Sequence, residues 1–113
     1  MKKLNHIFII LIIIGLYSCG MGTLPKNKES YAGTWVSNNV MLEITKEGKV
    51  NYKKEEGGTK TSINAPIQQF VGNNFEVGIL GINTTFVVNQ IPHQDAGAWK
   101  MTVDNVELTK VDL

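Results

Sequence analysis

Apolar and polar residues alternate along most of the chain after residue 31, and this two-residue period constrains the fold more than any other feature. Val40, Leu42 and Ile44 would share one side of an extended strand, because successive side chains of a strand project to opposite faces. Met41 and Glu43 would lie on the other side. No segment of this region has the 3.6-residue apolar period of an amphipathic helix. The pattern therefore predicts an all-β domain.

Turn residues divide the alternating region into about eight short strands. The pair Asp104-Asn105 stands between two alternating runs and favours a type I′ turn in a tight hairpin. Pro66 interrupts another run, where we expect a bulge, a bend or a sheet edge, because proline has no N–H donor for the ladder. An open sheet would leave its apolar face exposed. We therefore predict a small antiparallel up-and-down meander that is closed or nearly closed into a barrel.

The inward side of this predicted barrel carries five large aromatic residues: Trp35, Tyr52, Phe75, Phe86 and Trp99. Side chains can just fill the interior of an eight-stranded barrel. We therefore expect these rings to form a packed core. A cavity that holds a fatty or aromatic small molecule is the alternative.

The run Tyr31-Ala32-Gly33-Thr34-Trp35 resembles the Gly-x-Trp opening strand of lipocalin-type barrels. The resemblance implies that Trp35 closes the base of a lipocalin-like barrel. It covers only a few residues, and the chain is much shorter than a true lipocalin.

The first 18 residues have the organisation of an export signal. Lys2 and Lys3 form a basic head, and an uninterrupted apolar stretch follows over residues 7–16. A helix that spans a membrane needs about 20 apolar residues. The stretch therefore fits a signal peptide better than an uncleaved transmembrane segment, which is one alternative. Signal cleavage without lipidation is the other.

The run Leu16-Tyr17-Ser18-Cys19 resembles the lipobox of bacterial lipoproteins, although Tyr17 is bulkier than the usual residue there. The resemblance implies that the Cys19 thiol receives a diacylglycerol and that a peptidase then cuts before Cys19. Two or three acyl chains hold a protein on a membrane far more firmly than one. We therefore expect a protein of the bacterial cell envelope, anchored to the membrane through lipid on Cys19.

The predicted location depends on the host. An Asp directly after the lipidated cysteine resembles a signal for retention in the inner membrane of enteric-type bacteria, and this chain has Gly20 at that position. We therefore expect the outer membrane, facing the periplasm, if the host has two membranes. In a host with one membrane, the protein would lie on its outer face.

These motifs predict three segments: a signal peptide at 1–18, a lipidated cysteine with a flexible tether at 19–30, and the β-barrel domain at 31–113. Cys19 is the only cysteine, so we expect neither a disulfide nor a thiolate metal site in the domain.

Composition and motifs argue against several functions. The chain has no arginine, and removal of the predicted signal leaves nine lysines against ten acidic residues. A nucleic-acid-binding protein would need a basic face, so we expect no nucleic-acid partner. The sequence has neither a phosphate-binding glycine-rich loop before a helix nor a Gly-x-Ser-x-Gly elbow. We predict that the protein is not an enzyme and has no cofactor.

His93 is the only histidine outside the predicted signal, and Asp95 follows two residues later. We interpret residues 91–98 as a loop between two strands. Such a pair could begin a metal site or an acid–base pair. Two ligands are too few for a closed zinc site, so we predict no metal and retain His93 and Asp95 as a candidate binding loop. The turn at 55–59 is a second surface candidate.

The predicted function is that of a non-catalytic binding module, anchored in the envelope, whose partner is another protein. The alternative is a lipocalin-like carrier of a small hydrophobic ligand.

Overall fold

The computed structural model describes residues 22–112. The predicted signal peptide and Cys19 lie outside this range. A 3-10 helix at Lys26–Tyr31 precedes the strands β1 (Gly33–Val36), β2 (Val40–Ile44), β3 (Lys49–Glu56), β4 (Thr59–Val71), β5 (Asn74–Ile79), β6 (Ile82–Phe86), β7 (Val88–Asp95), β8 (Ala98–Val103) and β9 (Val106–Val111). All the paired strands are antiparallel. The predicted all-β meander is confirmed, and it has nine strands where we expected about eight.

The strands form one curled sheet in the order β6-β5-β4-β3-β2-β1-β9-β8-β7. Its two end strands, β6 and β7, are consecutive in the chain and are separated by Val87 alone. The Val87 N–H donates to Asp104 Oδ1 at 3.0 Å, and the Asp104 N–H donates to the Val87 carbonyl at 2.7 Å. The sheet therefore curls into a half-barrel whose ends come together at the β6–β7 junction.

β4 is 13 residues long and changes partner along its length. It pairs with β3 as far as Pro66 and with β5 from Ile67 onward, and the register shifts between Ile67 and Gln69. The Gln68 side chain donates to the Gly78 carbonyl at 2.7 Å, which fastens β5 beside the shift. The irregularity predicted at Pro66 is confirmed, and it allows β5 and β6 to turn across the concave face.

The core lies on the concave side of the curled sheet. Its buried members are Leu24, Tyr31, Trp35, Val40, Leu42, Ile44, Val50, Ala65, Ile67, Phe75, Val77, Phe86, Val88, Met101, Val103 and Leu108. Phe75 and Phe86 stack with their ring centroids 5.0 Å apart, and Tyr52 packs edge-on against Phe86 at 5.0 Å. Four of the five predicted aromatic core residues therefore take part in the core, with Tyr52 at its margin.

The prediction that Trp99 belongs to the core is wrong, because 37 % of the residue is exposed. Trp99 shares the inward face with Met101, but it lies near the start of β8, away from the buried residues Met101 and Val103. Lys110 Nζ lies 5.5 Å from the Trp99 ring and 4.9 Å from the Trp35 ring. A lysine stem and its ammonium group therefore occupy the space that we expected a closed barrel wall to cover.

The two-residue period that places Phe75 and Phe86 on the inward face places Ile79, Ile82 and Thr84 there as well, but all three are exposed. They lie in the β5–β6 hairpin, beyond the buried pair Phe75 and Phe86. β6 has a neighbour on one side only. Alternation assigns these residues to the inward face, but the core does not extend as far as this hairpin.

Part of the segment predicted to be a tether packs on the domain. Leu24 is buried, and its N–H donates to the Lys46 carbonyl at 3.0 Å. The Tyr31 hydroxyl donates to the Asn73 carbonyl at 2.8 Å, and the indole N–H of Trp35 donates to the Tyr31 carbonyl at 2.9 Å. The folded body therefore includes residues from Leu24 onward, and the 3-10 helix joins β1 to the β4–β5 turn.

Candidate functional site

His93 and Asp95 lie on strand β7, so the predicted loop at this place is wrong. β7 is an end strand of the sheet and pairs only with β8. Its register shifts between Gln90 and His93, which accommodates Pro92 in the strand because a bulged edge does not need the missing N–H donor.

The surroundings of His93 are those of an exposed hairpin. Its Nδ1 lies 2.8 Å from the Ile91 carbonyl oxygen, and Lys100 is its cross-strand neighbour. Lys100 in turn pairs with Glu107, with Nζ and Oε1 3.3 Å apart. Within residues 22–112, no three His, Cys, Asp or Glu side chains are grouped closely enough to hold a metal ion. The structure therefore brings a lysine, and no further metal ligand, to the candidate pair.

A cavity of about 40 Å³ borders the core between Tyr52, Val103 and Leu108. One water molecule occupies about 30 Å³ in the liquid. This space is therefore of the size of a single water molecule.

A much larger concavity lies on the surface where β1–β4 come together, and we call it the outer groove. It has a volume of about 740 Å³ and is lined by Val36, Ser37, Asn38, Asn39, Val40, Met41, Lys53, Lys54, Glu55, Lys60, Thr61 and Ser62. It includes part of the turn at 55–59 that we named as a second surface candidate. Most of its lining comes from the β1–β2 loop and the β3–β4 hairpin.

A cross-strand row of side chains forms the floor of the outer groove. Val36 is paired with Met41, Met41 with Lys53, and Lys53 with Ser62. Directly opposed residues of antiparallel strands project from the same face, and Met41 belongs to the face predicted to point away from the core. The floor is therefore continuous across four strands, apolar at Val36 and Met41 and polar at Ser62.

Hydrogen bonds fix the loop that forms one wall of the groove. The Asn39 side chain donates to the Glu55 carbonyl at 3.1 Å, and the Glu55 N–H donates to the Asn39 carbonyl at 3.0 Å. The Ser37 N–H donates to the Val40 carbonyl at 2.9 Å. The β1–β2 loop is thus attached to β3, and the concavity exists before any partner binds.

The outer groove has a positive rim, with three lysines and one glutamate in its lining. Lys60 lies 3.8 Å from Glu55, and Lys54 lies 3.5 Å from Glu56. Exposed pairs of this kind contribute about 0–1 kcal/mol and exchange readily. Among the residues that the structure describes, Lys53 has no ion-pair partner. The groove can therefore offer a cation beside an apolar floor.

Sequence reasoning missed the outer groove. In the sequence, Lys53-Lys54 and Glu55-Glu56 indicate only a soluble hairpin tip, and alternation places Met41 on an outer face. Whether an outer face is convex or concave depends on the curl of the sheet and on how far the β3–β4 hairpin extends beyond β1. Neither quantity follows from a two-residue period.

No helix in residues 22–112 is long and apolar enough to cross a bilayer. The motif-based resemblances to lipoproteins and to lipocalin-type barrels remain expectations from the sequence. The chain matches no protein-family model, no curated protein and no solved structure.

Proposed function

We propose that this protein is a lipid-anchored lipoprotein of the bacterial envelope that acts as a non-catalytic binding module for another protein through its outer groove. The observation that carries the proposal is the groove itself, which combines a preformed shape, an apolar floor at Val36 and Met41 and a lysine rim. Such a surface suits a partner that presents an apolar side chain next to carboxylates.

The lipid anchor in this proposal rests on the motif that ends at Cys19. Leu24 is buried and hydrogen-bonded to Lys46, so only four residues, or five steps from one Cα to the next, separate the acylated cysteine from the folded body. Such a segment reaches about 17 Å when fully extended. An anchored protein would therefore hold its body close to the membrane surface.

The outer groove lies at the opposite end of β2 from this attachment. Val40 begins β2 and lines the groove, whereas Lys46, which binds Leu24, follows the end of the strand. Six residues of extended chain span about 20 Å. This separation supports a groove that remains accessible to a protein partner when the chain is anchored.

The packing of the interior argues against a lipocalin-like carrier that holds a small hydrophobic ligand inside the barrel. Pockets for such ligands have volumes of about 300–1,000 Å³, and the cavity beside the core has about 40 Å³. Phe75 and Phe86 stack within the core. A lipocalin-like carrier would need these rings to separate, whereas a surface-binding module needs no such change.

The groove can be tested by crosslinking in living cells. A photoreactive benzoyl-phenylalanine at Met41 should crosslink to one defined envelope protein, and the same group at Glu107, exposed on β9, should not. Lys53→Glu should reduce the Met41 product because it reverses the charge beside the floor. Lys26→Glu is the matched control, since this exposed lysine lies outside the groove. Equal products from both positions, or a product indifferent to Lys53→Glu, would contradict the proposed surface.

The anchor needs a separate measurement. Cells supplied with labelled palmitate should incorporate label into the wild-type protein and not into Cys19→Ala. Label in Cys19→Ala, or none in the wild type, would remove the lipid anchor and leave the groove proposal to its own test.

A further inference from the structure

The tip of the β5–β6 hairpin is apolar and unusually exposed. The exposed fraction is 52 % for Ile79, 94 % for Leu80 and 81 % for Ile82. Ile79 and Ile82 are directly opposed across the hairpin, so their side chains lie on one face beside the Leu80-Gly81 turn. Together they form a continuous apolar tip, which is costly to expose to water.

The turn residues of this hairpin differ from those of the other hairpins. Leu80 has a φ of 57° and Gly81 a φ of 82°. A leucine rarely adopts a positive φ, because its Cβ crowds the backbone. The β3–β4, β7–β8 and β8–β9 hairpins fill the equivalent places with Gly57-Gly58, Ala96-Gly97 and Asp104-Asn105. The chain therefore keeps a strained leucine at an exposed position where small or polar residues are favoured.

The hairpin is tightly built and lacks charge. A Cβ on Gly78 would collide with the Ile82 carbonyl and the Asn83 side chain, so only glycine allows the two strands to approach this closely. No Asp, Glu, Lys or Arg occurs between Glu76 and Asp95. The tip can therefore leave water without the large cost of burying a charged side chain.

A chain of hydrogen bonds and strand pairs sets an upper limit on the distance between the β5–β6 tip and the β2–β3 turn, where the folded body begins at Leu24. The Ile67 N–H donates to the Gly48 carbonyl, Ile67 is paired with Val77, and Ile79 follows two residues later. Two strand spacings and two residues of strand place Ile79 within about 16 Å of Gly48. Gly48 belongs to the same β2–β3 turn as Lys46, which binds Leu24. The base of the apolar tip therefore lies within about 16 Å of the turn that holds Leu24, from which the chain leads back to Cys19.

We propose that the β5–β6 tip inserts into the interfacial region of the bilayer as a second contact, with Leu80 and Ile82 among the acyl chains. This inference rests on the lipid anchor proposed above. Apolar side chains of peripheral proteins enter the boundary between headgroups and acyl chains by about 5–10 Å. A protruding hairpin suits this fluid environment, and contact at two points would fix how the body is oriented on the membrane.

The test uses the mature acylated protein in vesicles of phosphatidylethanolamine and phosphatidylglycerol. Leu80→Cys is labelled with the environment-sensitive dye NBD, and Ile82→Cys is a second site that lies in a regular strand. Lys60→Cys is the matched control, at the exposed end of the β3–β4 hairpin. We expect the emission from positions 80 and 82 to shift to shorter wavelength and to be quenched by lipids with a nitroxide on the acyl chain. Emission from position 60 should show neither effect.

The experiment distinguishes a failure of tip insertion from a failure of the lipid anchor. Unshifted emission at positions 80 and 82 would refute insertion, and a shift that acyl-chain nitroxides do not quench would assign the tip to a protein contact instead. The anchor is read from the Lys60→Cys protein, which should float with the vesicles and accept one dye per chain. A second dye would show that the Cys19 thiol is free.

Discussion

Leu80→Asn should make the protein more stable although it replaces a hydrophobic residue. Leu80 is 94 % exposed and has a φ of 57°, and Gly81 follows with a φ of 82°. Two consecutive positive φ values define a type I′ turn, for which Asn-Gly is the most favoured pair. The substitution therefore matches the turn residues to the backbone and removes almost no buried surface.

The expected gain follows from the backbone conformation. The left-handed region costs an ordinary L-residue about 1–2 kcal/mol, and asparagine adopts it more readily. If asparagine recovers about half of that cost, the free energy of unfolding rises by about 0.5–1 kcal/mol. For a domain of this size, such a gain raises Tm by about 2–8 °C.

Thermal unfolding of the acylated protein in a mild detergent, followed by tryptophan fluorescence, would measure this change. Asn105→Leu is a control in the opposite direction, because it places a leucine at the second, exposed position of the β8–β9 turn, where φ is 65°. We expect Tm to rise for Leu80→Asn and to fall for Asn105→Leu. A lower Tm for Leu80→Asn would show that Leu80 stabilises the hairpin and that its backbone is not strained, which would also weaken the inference of a functional tip.

Three further predictions concern the core. Phe86→Leu should lower the free energy of unfolding by about 1–2 kcal/mol, because it removes the ring stacked on Phe75. The midpoint of urea unfolding measures this change. Thr84→Ser, at an exposed position on the same strand, is the control, and an equal effect of both substitutions would contradict the prediction. Burial raises the pKa of Tyr31 and Tyr52 above 10.0, so tyrosinate absorbance should appear at higher pH in the native protein than in urea. Because the pKa of each tyrosine is raised in the folded state, the stability that their burial provides should be complete below pH 10 and decline as pH rises further. A urea midpoint that stays constant as pH rises above 10 would contradict the burial of these hydroxyl groups. Iodide should quench the fluorescence of Trp99 but not that of the buried Trp35, so the Trp99→Phe variant should show almost no quenching. Full quenching of the remaining tryptophan in that variant would show that Trp35 is not packed in the core.

Particular residues show how far the sequence could predict the fold and the site. Alternation assigned Trp35, Phe75 and Phe86 to the core, and each is at most 1 % exposed. It also assigned Trp99 to the inward face but could not say where the core ends. The residues that became strand β7 lack a clean alternation because Pro92 and a register shift disturb it. The sequence pattern therefore predicts a loop at His93.

The candidate surfaces were harder to predict than the core. The lysines of the outer groove and the leucine of the β5–β6 tip are plain in the sequence. A charged pair indicates only solubility when its neighbours are unknown, and an apolar run within a strand indicates burial. Both surfaces depend on how far each hairpin extends beyond the core, which the residue pattern does not show.

Local properties of this protein follow from the sequence alone: extended strands, turns at Gly and Asp-Asn pairs, the irregularity at Pro66 and the motif that ends at Cys19. These depend on the conformations and side-chain directions of a few neighbouring residues. The curl of the sheet through nine strands, the position of Lys110 over Trp35 and the place of Met41 in a groove become visible only in the folded chain. Those outcomes depend on strand register and on how residues far apart in the chain pack together, and a period of two contains no information about either.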